Sequence, residues 1–221
     1  MKLSILLFDG FTALDVVGGY EVLSRMPGME TEFVSAKPGI IAADTRRLGM
    51  VTYRDYSSAA STDILYVPGG PGVSAALIDP ALLNYIQSAS NTAAWTIGIC
   101  NGVALLGAAD LLAGRTVTTN WSWRERVARY GATVLPERYH REGNLVTGAG
   151  VSASIDAALF LVGEMGGEAM ARTLQLGIEY FPAPPFGGFS VEEVPESLKA
   201  IIRAYEASGA PEAMLAQPPP F

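Results

Sequence analysis

Three short, largely apolar runs at residues 3–8, 63–67 and 95–99 constrain the fold most, because segments of helical character separate them along the chain. A run that is apolar without alternation is what a strand buried on both faces requires, and strands alternating with helices give a parallel sheet covered on both sides. Residues 31–35 read as a further strand, and 116–119, 133–135 and a hairpin around Arg141-Glu142-Gly143-Asn144 supply short ones. Helical patterns run over 15–25, 80–90, 102–112, 154–166, 168–180 and 195–208. The segment 181–189, with three prolines and two glycines, is irregular, and 217–221 is a proline-rich tail. The expected architecture is one α/β domain spanning 1–221, a sandwich of helices around a mostly parallel sheet.

With 221 residues and a formal charge of −7, the chain lacks the basic surface that tracks a phosphate backbone, so nucleic acid is not an expected partner. The longest apolar tract outside the strands, 155–165, is interrupted by Asp156, Gly163 and Glu164, too early to cross a bilayer. The N-terminus lacks the apolar core and cleavage site of a signal peptide. A single cysteine excludes an internal disulfide framework and a thiolate metal cluster, which fits a reducing, cytoplasmic setting.

That cysteine lies in Gly98-Ile99-Cys100-Asn101-Gly102, between an apolar strand and a helix of small residues. A nucleophile at such an elbow occupies cramped backbone, and its neighbours two positions away must lack bulk where strand and helix approach. The sulfur would face the positive end of the following helix, which is expected to lower its pKa. The loop Pro68-Gly69-Gly70-Pro71-Gly72 ends a neighbouring strand, so Gly70, Pro71 and Gly72, together with Asn101, are candidates for holding a developing anion.

The single histidine, His140, lies in a polar stretch leading into the hairpin and reads as a surface residue, so no Cys–His dyad is expected. Asp15, after the first strand, is either a helix N-cap or an acid–base partner for the thiol; in the second case the two groups share a proton. Among Trp121, Trp123, Tyr180, Phe181 and Phe186, only Trp121, with Asn120 at a strand end, is read as lining a pocket; the others read as filling a core or an interface.

The elbow, the Pro-Gly-Gly loop and Leu14-Asp15 together resemble the ThiJ/PfpI superfamily of class I glutamine-amidotransferase-like folds, in its isocyanide hydratase branch. The similarity extends over 64–73, 97–107, 109–114, 118–121, 143–150 and the Glu-Tyr-Phe-Pro-Ala-Pro-Pro-Phe string at 179–186. It implies a flavodoxin-like sandwich, a homodimer and no metal or organic cofactor. It also implies that Cys100 attacks the terminal carbon of an isocyanide, that Asp15 protonates that carbon, and that water opens the thioimidate to an N-substituted formamide. The chain departs from the branch at Asn101, where threonine is usual, and at Asn120, where histidine is usual. Two alternatives stay open: a non-catalytic cysteine oxidation sensor or ligand-binding domain, and glyoxalase or deglycase chemistry on 2-oxoaldehydes.

Overall fold

The computed structural model describes residues 1–59, 61–186 and 190–208. In chain order the elements are β1 (Lys2–Leu6), α1 (Ala13–Leu23), β2 (Glu30–Ser35), β3 (Gly39–Ala42), β4 (Gly49–Thr52), β5 (Arg54–Asp55), β6 (Ile64–Val67), α2 (Val73–Ala76), α3 (Pro80–Thr92) and β7 (Trp95–Ile99). After a 3₁₀ turn over Cys100–Gly102 come α4 (Val103–Ala108), β8 (Thr116–Val117), α5 (Arg124–Ala128), β9 (Thr133–Val134), β10 (Tyr139–Glu142), β11 (Leu145–Gly148), α6 (Ala153–Gly166), α7 (Glu168–Gly177) and α8 (Glu196–Ser208).

The central sheet has the order β10-β11-β7-β6-β1-β2-β5, and all its pairings are parallel except the hairpin β10–β11. The three apolar runs occupy its middle as β1, β6 and β7, where Leu3, Ile5, Ile64, Leu65 and Ile97 have no exposed surface. Helices cover both faces, as the flavodoxin-like α/β expectation requires. Helix α1 lies against α6 and β6 so closely that a Cβ on Gly18 would lie 2.2 Å from Ser154 Oγ and one on Gly19 would lie 2.3 Å from Tyr66. Those two glycines let α1 deliver its first turn to the carboxyl ends of β6 and β7.

Local expectations differ in places. The helix read over 102–112 is confined to Val103–Ala108, since Asp110 takes a positive φ of 62° and breaks the hydrogen-bond ladder. The β3–β4 hairpin carries exposed Ile40 and Val51, so burial gave its sequence no alternating signature. Residues 187–189 and the proline-rich 217–221 lie outside the described residues. Among the described residues no helix is long and apolar enough to cross a membrane.

Candidate active site

Strand β7 ends at Ile99, and Cys100 then takes a φ of 57°, left-handed backbone that costs a non-glycine residue on the order of 1–3 kcal/mol. Three contacts hold it there. A Cβ on Gly98 would lie 2.7 Å from Leu106 Cδ1, and one on Gly102 would lie 2.2 Å from the Pro68 carbonyl oxygen. The Thr119 hydroxyl donates to the Cys100 carbonyl at 2.7 Å. The glycines of the elbow are therefore spacing devices, Gly98 against the following helix and Gly102 against the neighbouring loop. The result is a nucleophile elbow with Cys100 buried to 4% exposure at the sheet's carboxyl edge.

Asp15 lies beside this thiol. Helix α1 begins at Ala13 with Thr12 as its N-cap, so the capping alternative for Asp15 is set aside. Its carboxyl, fully buried, accepts from the Gly69 N–H at 2.8 Å through Oδ2, while Oδ1 has no well-formed hydrogen bond. The neighbouring side chain that favours the charged form of this carboxyl is Cys100. Burial pushes the Asp15 pKa up to about 8, with the Gly69 N–H opposing and Asp44 reinforcing the shift. Burial, followed by the charge of Asp15, also drives the Cys100 thiol well above its usual value. The Asn120 amide and the Asn101 backbone N–H pull it down, and Glu206 pushes it further up. The expected lowering of the thiol pKa is thus reversed, because desolvation of the sulfur exceeds what a short helix end supplies.

The glycine loop also acts differently from expectation. The Gly70 N–H donates to Asn101 Oδ1 at 2.7 Å, and Asn101 Nδ2 returns a bond to the Gly70 carbonyl at 3.1 Å. Pro71 has no N–H, and the Gly72 N–H donates to the Gly10 carbonyl at 3.0 Å. Gly70, Pro71 and Gly72 are therefore not oxyanion donors; the loop orients Asp15 through Gly69 and is braced by the Asn101 side chain. The donors directed at the sulfur are the Asn101 backbone N–H and Asn120 Nδ2, the latter at 3.4 Å.

The sulfur opens onto a cavity of about 340 Å³ lined by Thr12, Asp44, Gly70, Pro71, Cys100, Asn101, Asn120, Trp121, Gly150, Val151, Ile202, Tyr205 and Glu206. Asn120 and Trp121 thus lie where the sequence placed them. Asn120 is fixed from both ends: Oδ1 accepts from the Ser122 N–H at 2.9 Å, and Nδ2 donates to Glu206 Oε1 at 3.1 Å as well as to the sulfur. Asp44, Tyr205 and Glu206 were missed. Asp44 Oδ2 accepts from Thr12 Oγ1 at 3.0 Å and from the Tyr205 hydroxyl at 2.9 Å, which ties α8 across the mouth of the cavity. His140 lies elsewhere, its ring bonded to Glu137 at 2.9 Å on the edge strand. Trp123 is buried, but Phe181 and Phe186 are exposed and line neither core nor cavity, and the Tyr180 hydroxyl pairs with Asp156.

Comparison with known proteins places this geometry. Residues 1–164 match the model of the DJ-1/PfpI family. The chain is 34% identical over 198 residues to an isonitrile hydratase of Pseudomonas putida, covering 90% of this chain and 86% of that protein. The crystal structure of a ThiJ/PfpI family protein from Pseudomonas syringae superposes with a TM-score of 0.87 at 30% identity, covering 94% of this chain and 87% of the other. Schizosaccharomyces pombe DJ-1 shares the fold at 18% identity, with a TM-score of 0.69 over 83% of this chain and all of that one.

Proposed function

The chain belongs to the DJ-1/PfpI family, and on that premise we propose that it hydrates a small isocyanide to an N-substituted formamide, with Cys100 as nucleophile and Asp15 as its acid–base partner. The observation that carries the reading is Cys100, beside the fully buried Asp15, opening onto a cavity of about 340 Å³ with no imidazole among its lining residues. Likeness to the isonitrile hydratase of Pseudomonas putida supports the choice of substrate class.

The reactive form of the pair holds one proton. The thiolate adds to the terminal isocyanide carbon, forming the S–C bond, and Asp15 gives its proton to that carbon as it becomes basic, leaving the thioimidate R–N=CH–S. Water then adds across the C=N bond, one proton going to nitrogen. The tetrahedral adduct collapses to R–NH–CHO as the C–S bond breaks, with the electron pair staying on sulfur and the hydroxyl proton returning to Asp15. An isocyanide accepts both nucleophile and proton at one carbon, so a carboxyl paired with a thiol is sufficient and a histidine is not required.

The sensor alternative needs an exposed, readily ionised thiol, and the burial and raised pKa of Cys100 oppose it. The deglycase alternative normally uses a glutamate at the helix position and a nearby histidine, and this site presents Asp15 and no imidazole among its described residues. The test is formamide production from aliphatic and aromatic isocyanides by the purified protein. Cys100→Ala should abolish it, and undiminished turnover in that variant would end the proposal.

A further inference from the structure

The mechanism above leaves two carboxylates of the cavity without a task, Asp44, which is held by the Thr12 and Tyr205 hydroxyls, and Glu206. Glu206, on α8, lies beyond the residues that match the family model, yet its side chain lines the same cavity as Cys100. Asn120 Nδ2 donates simultaneously to Cys100 Sγ at 3.4 Å and to Glu206 Oε1 at 3.1 Å, so a single amide nitrogen separates sulfur from carboxylate. The other oxygen, Oε2, accepts from the Ser122 hydroxyl. Both oxygens are therefore oriented by neutral donors, Arg203 being engaged with Glu196 and the Trp121 ring. A carbon attached to Cys100 would enter the cavity that Glu206 also lines.

We infer that Glu206 is the general base for the second half of the reaction, taking a proton from the water that opens the Cys100 thioimidate. This rests on the isocyanide hydratase reading and assigns it a division of labour: Cys100 and Asp15 perform the addition and the final collapse, and Glu206 activates the water between them. In atoms, the water oxygen bonds to the thioimidate carbon while its proton moves to Glu206 Oε1; Glu206 passes that proton to the nitrogen left negative by opening of the C=N bond. The tetrahedral R–NH–CH(OH)–S adduct then expels the sulfur as before, and Glu206 returns to its carboxylate form. Burial raises the Glu206 pKa, with the Ser122, Asn120 and Trp123 donors and the charge of Arg203 opposing, which makes the carboxylate a stronger base than an exposed glutamate.

The purely structural role, a tether fastening α8 to Asn120 and Ser122, predicts differently. Glu206→Gln keeps an acceptor for Asn120 and a polar group for Ser122 but cannot accept a proton. With an aliphatic isocyanide, intact-mass spectrometry on Glu206→Gln should show protein plus one isocyanide accumulating within the first turnover, at a formation rate within about threefold of the native protein. Formamide release should fall by roughly 10²-fold or more, the span of general base catalysis. Added acetate should restore release in Glu206→Ala, a second variant whose response a tether would not share. Release within a few-fold of native without accumulating adduct, or failure to form the adduct while the native protein turns over, overturns the assignment. Absence of both adduct and formamide in the native protein would instead remove the hydratase reading and this assignment with it.

Discussion

Replacing Asp15 with asparagine should change the pH dependence of stability more than stability itself. A free aspartate titrates near 3.8, whereas burial lifts Asp15 to about 8 in the folded chain. The folded state therefore binds this proton more tightly than the unfolded state. Its stabilising contribution is complete below pH 3.8 and is lost as pH rises to about 8, at about 1.4 kcal/mol per pH unit. Between pH 5 and pH 8 that is a loss of about 4 kcal/mol, carried by the native protein and absent from Asp15→Asn. The groups facing this carboxyl are the Gly69 N–H from the loop, Cys100 from the elbow and Asp44 from the segment after β3, while the Tyr66 hydroxyl of β6 binds the Asp15 carbonyl. All are retained in the variant, so the difference between the two proteins isolates the proton on residue 15. At roughly 2–4 °C per kcal/mol for a chain of this size, the Tm of Asp15→Asn minus that of the native protein should grow by about 8–16 °C from pH 5 to pH 8. Differential scanning calorimetry across that range measures it. Parallel Tm curves would refute the burial argument, whatever their constant offset.

Two further outcomes follow from the same geometry. At pH 6 the carboxyl and the thiol both hold protons, and the reactive form has one, so kcat/KM for isocyanide should rise with pH and level off above about 8; a profile flat from pH 6 to 9 would contradict the coupled pair. Gly102→Ala would place a Cβ 2.2 Å from the Pro68 carbonyl oxygen, so the elbow and the loop must part, at a cost of about 1–3 kcal/mol in urea unfolding and with loss of turnover; an unchanged midpoint and rate would show that the spacing is not required.

The sequence carried the features whose cause is local. Gly102 reports a close approach of backbone to backbone, Gly98 a close contact with the Leu106 side chain, and the apolar runs report strands buried on both faces. Asp15 was legible from its place after the first strand, because the topology of a parallel sheet brings strand ends together at one edge. The oxyanion reading failed on partners distant along the chain: the Gly70 and Gly72 donors are consumed by Asn101 and Gly10. Only the missing N–H of Pro71 was visible beforehand. Glu206 was hidden for a related reason. It is 86 residues from Asn120, and the helical periodicity of α8 specifies a helix without specifying the surface on which it lands.

The reversal at the sulfur shows which effect governs the site. A helix end stabilises a nearby anion by about 0.3–1 kcal/mol, and by about 2 kcal/mol at best. Here α4 contributes six residues, so its part lies at the lower end. Removing a charge from water costs several kcal/mol even after relaxation, and Cys100 is buried beside a second acidic group. Desolvation therefore wins, and near neutral pH the resting pair is uncharged. The form with one proton, which the proposed addition uses, therefore becomes populated only as pH approaches about 8, and since addition consumes the charge on sulfur as it forms, no free thiolate need persist in the cavity. Burial and a raised pKa also disfavour the thiolate that oxidants attack, which is the opposite of what a sensor cysteine requires.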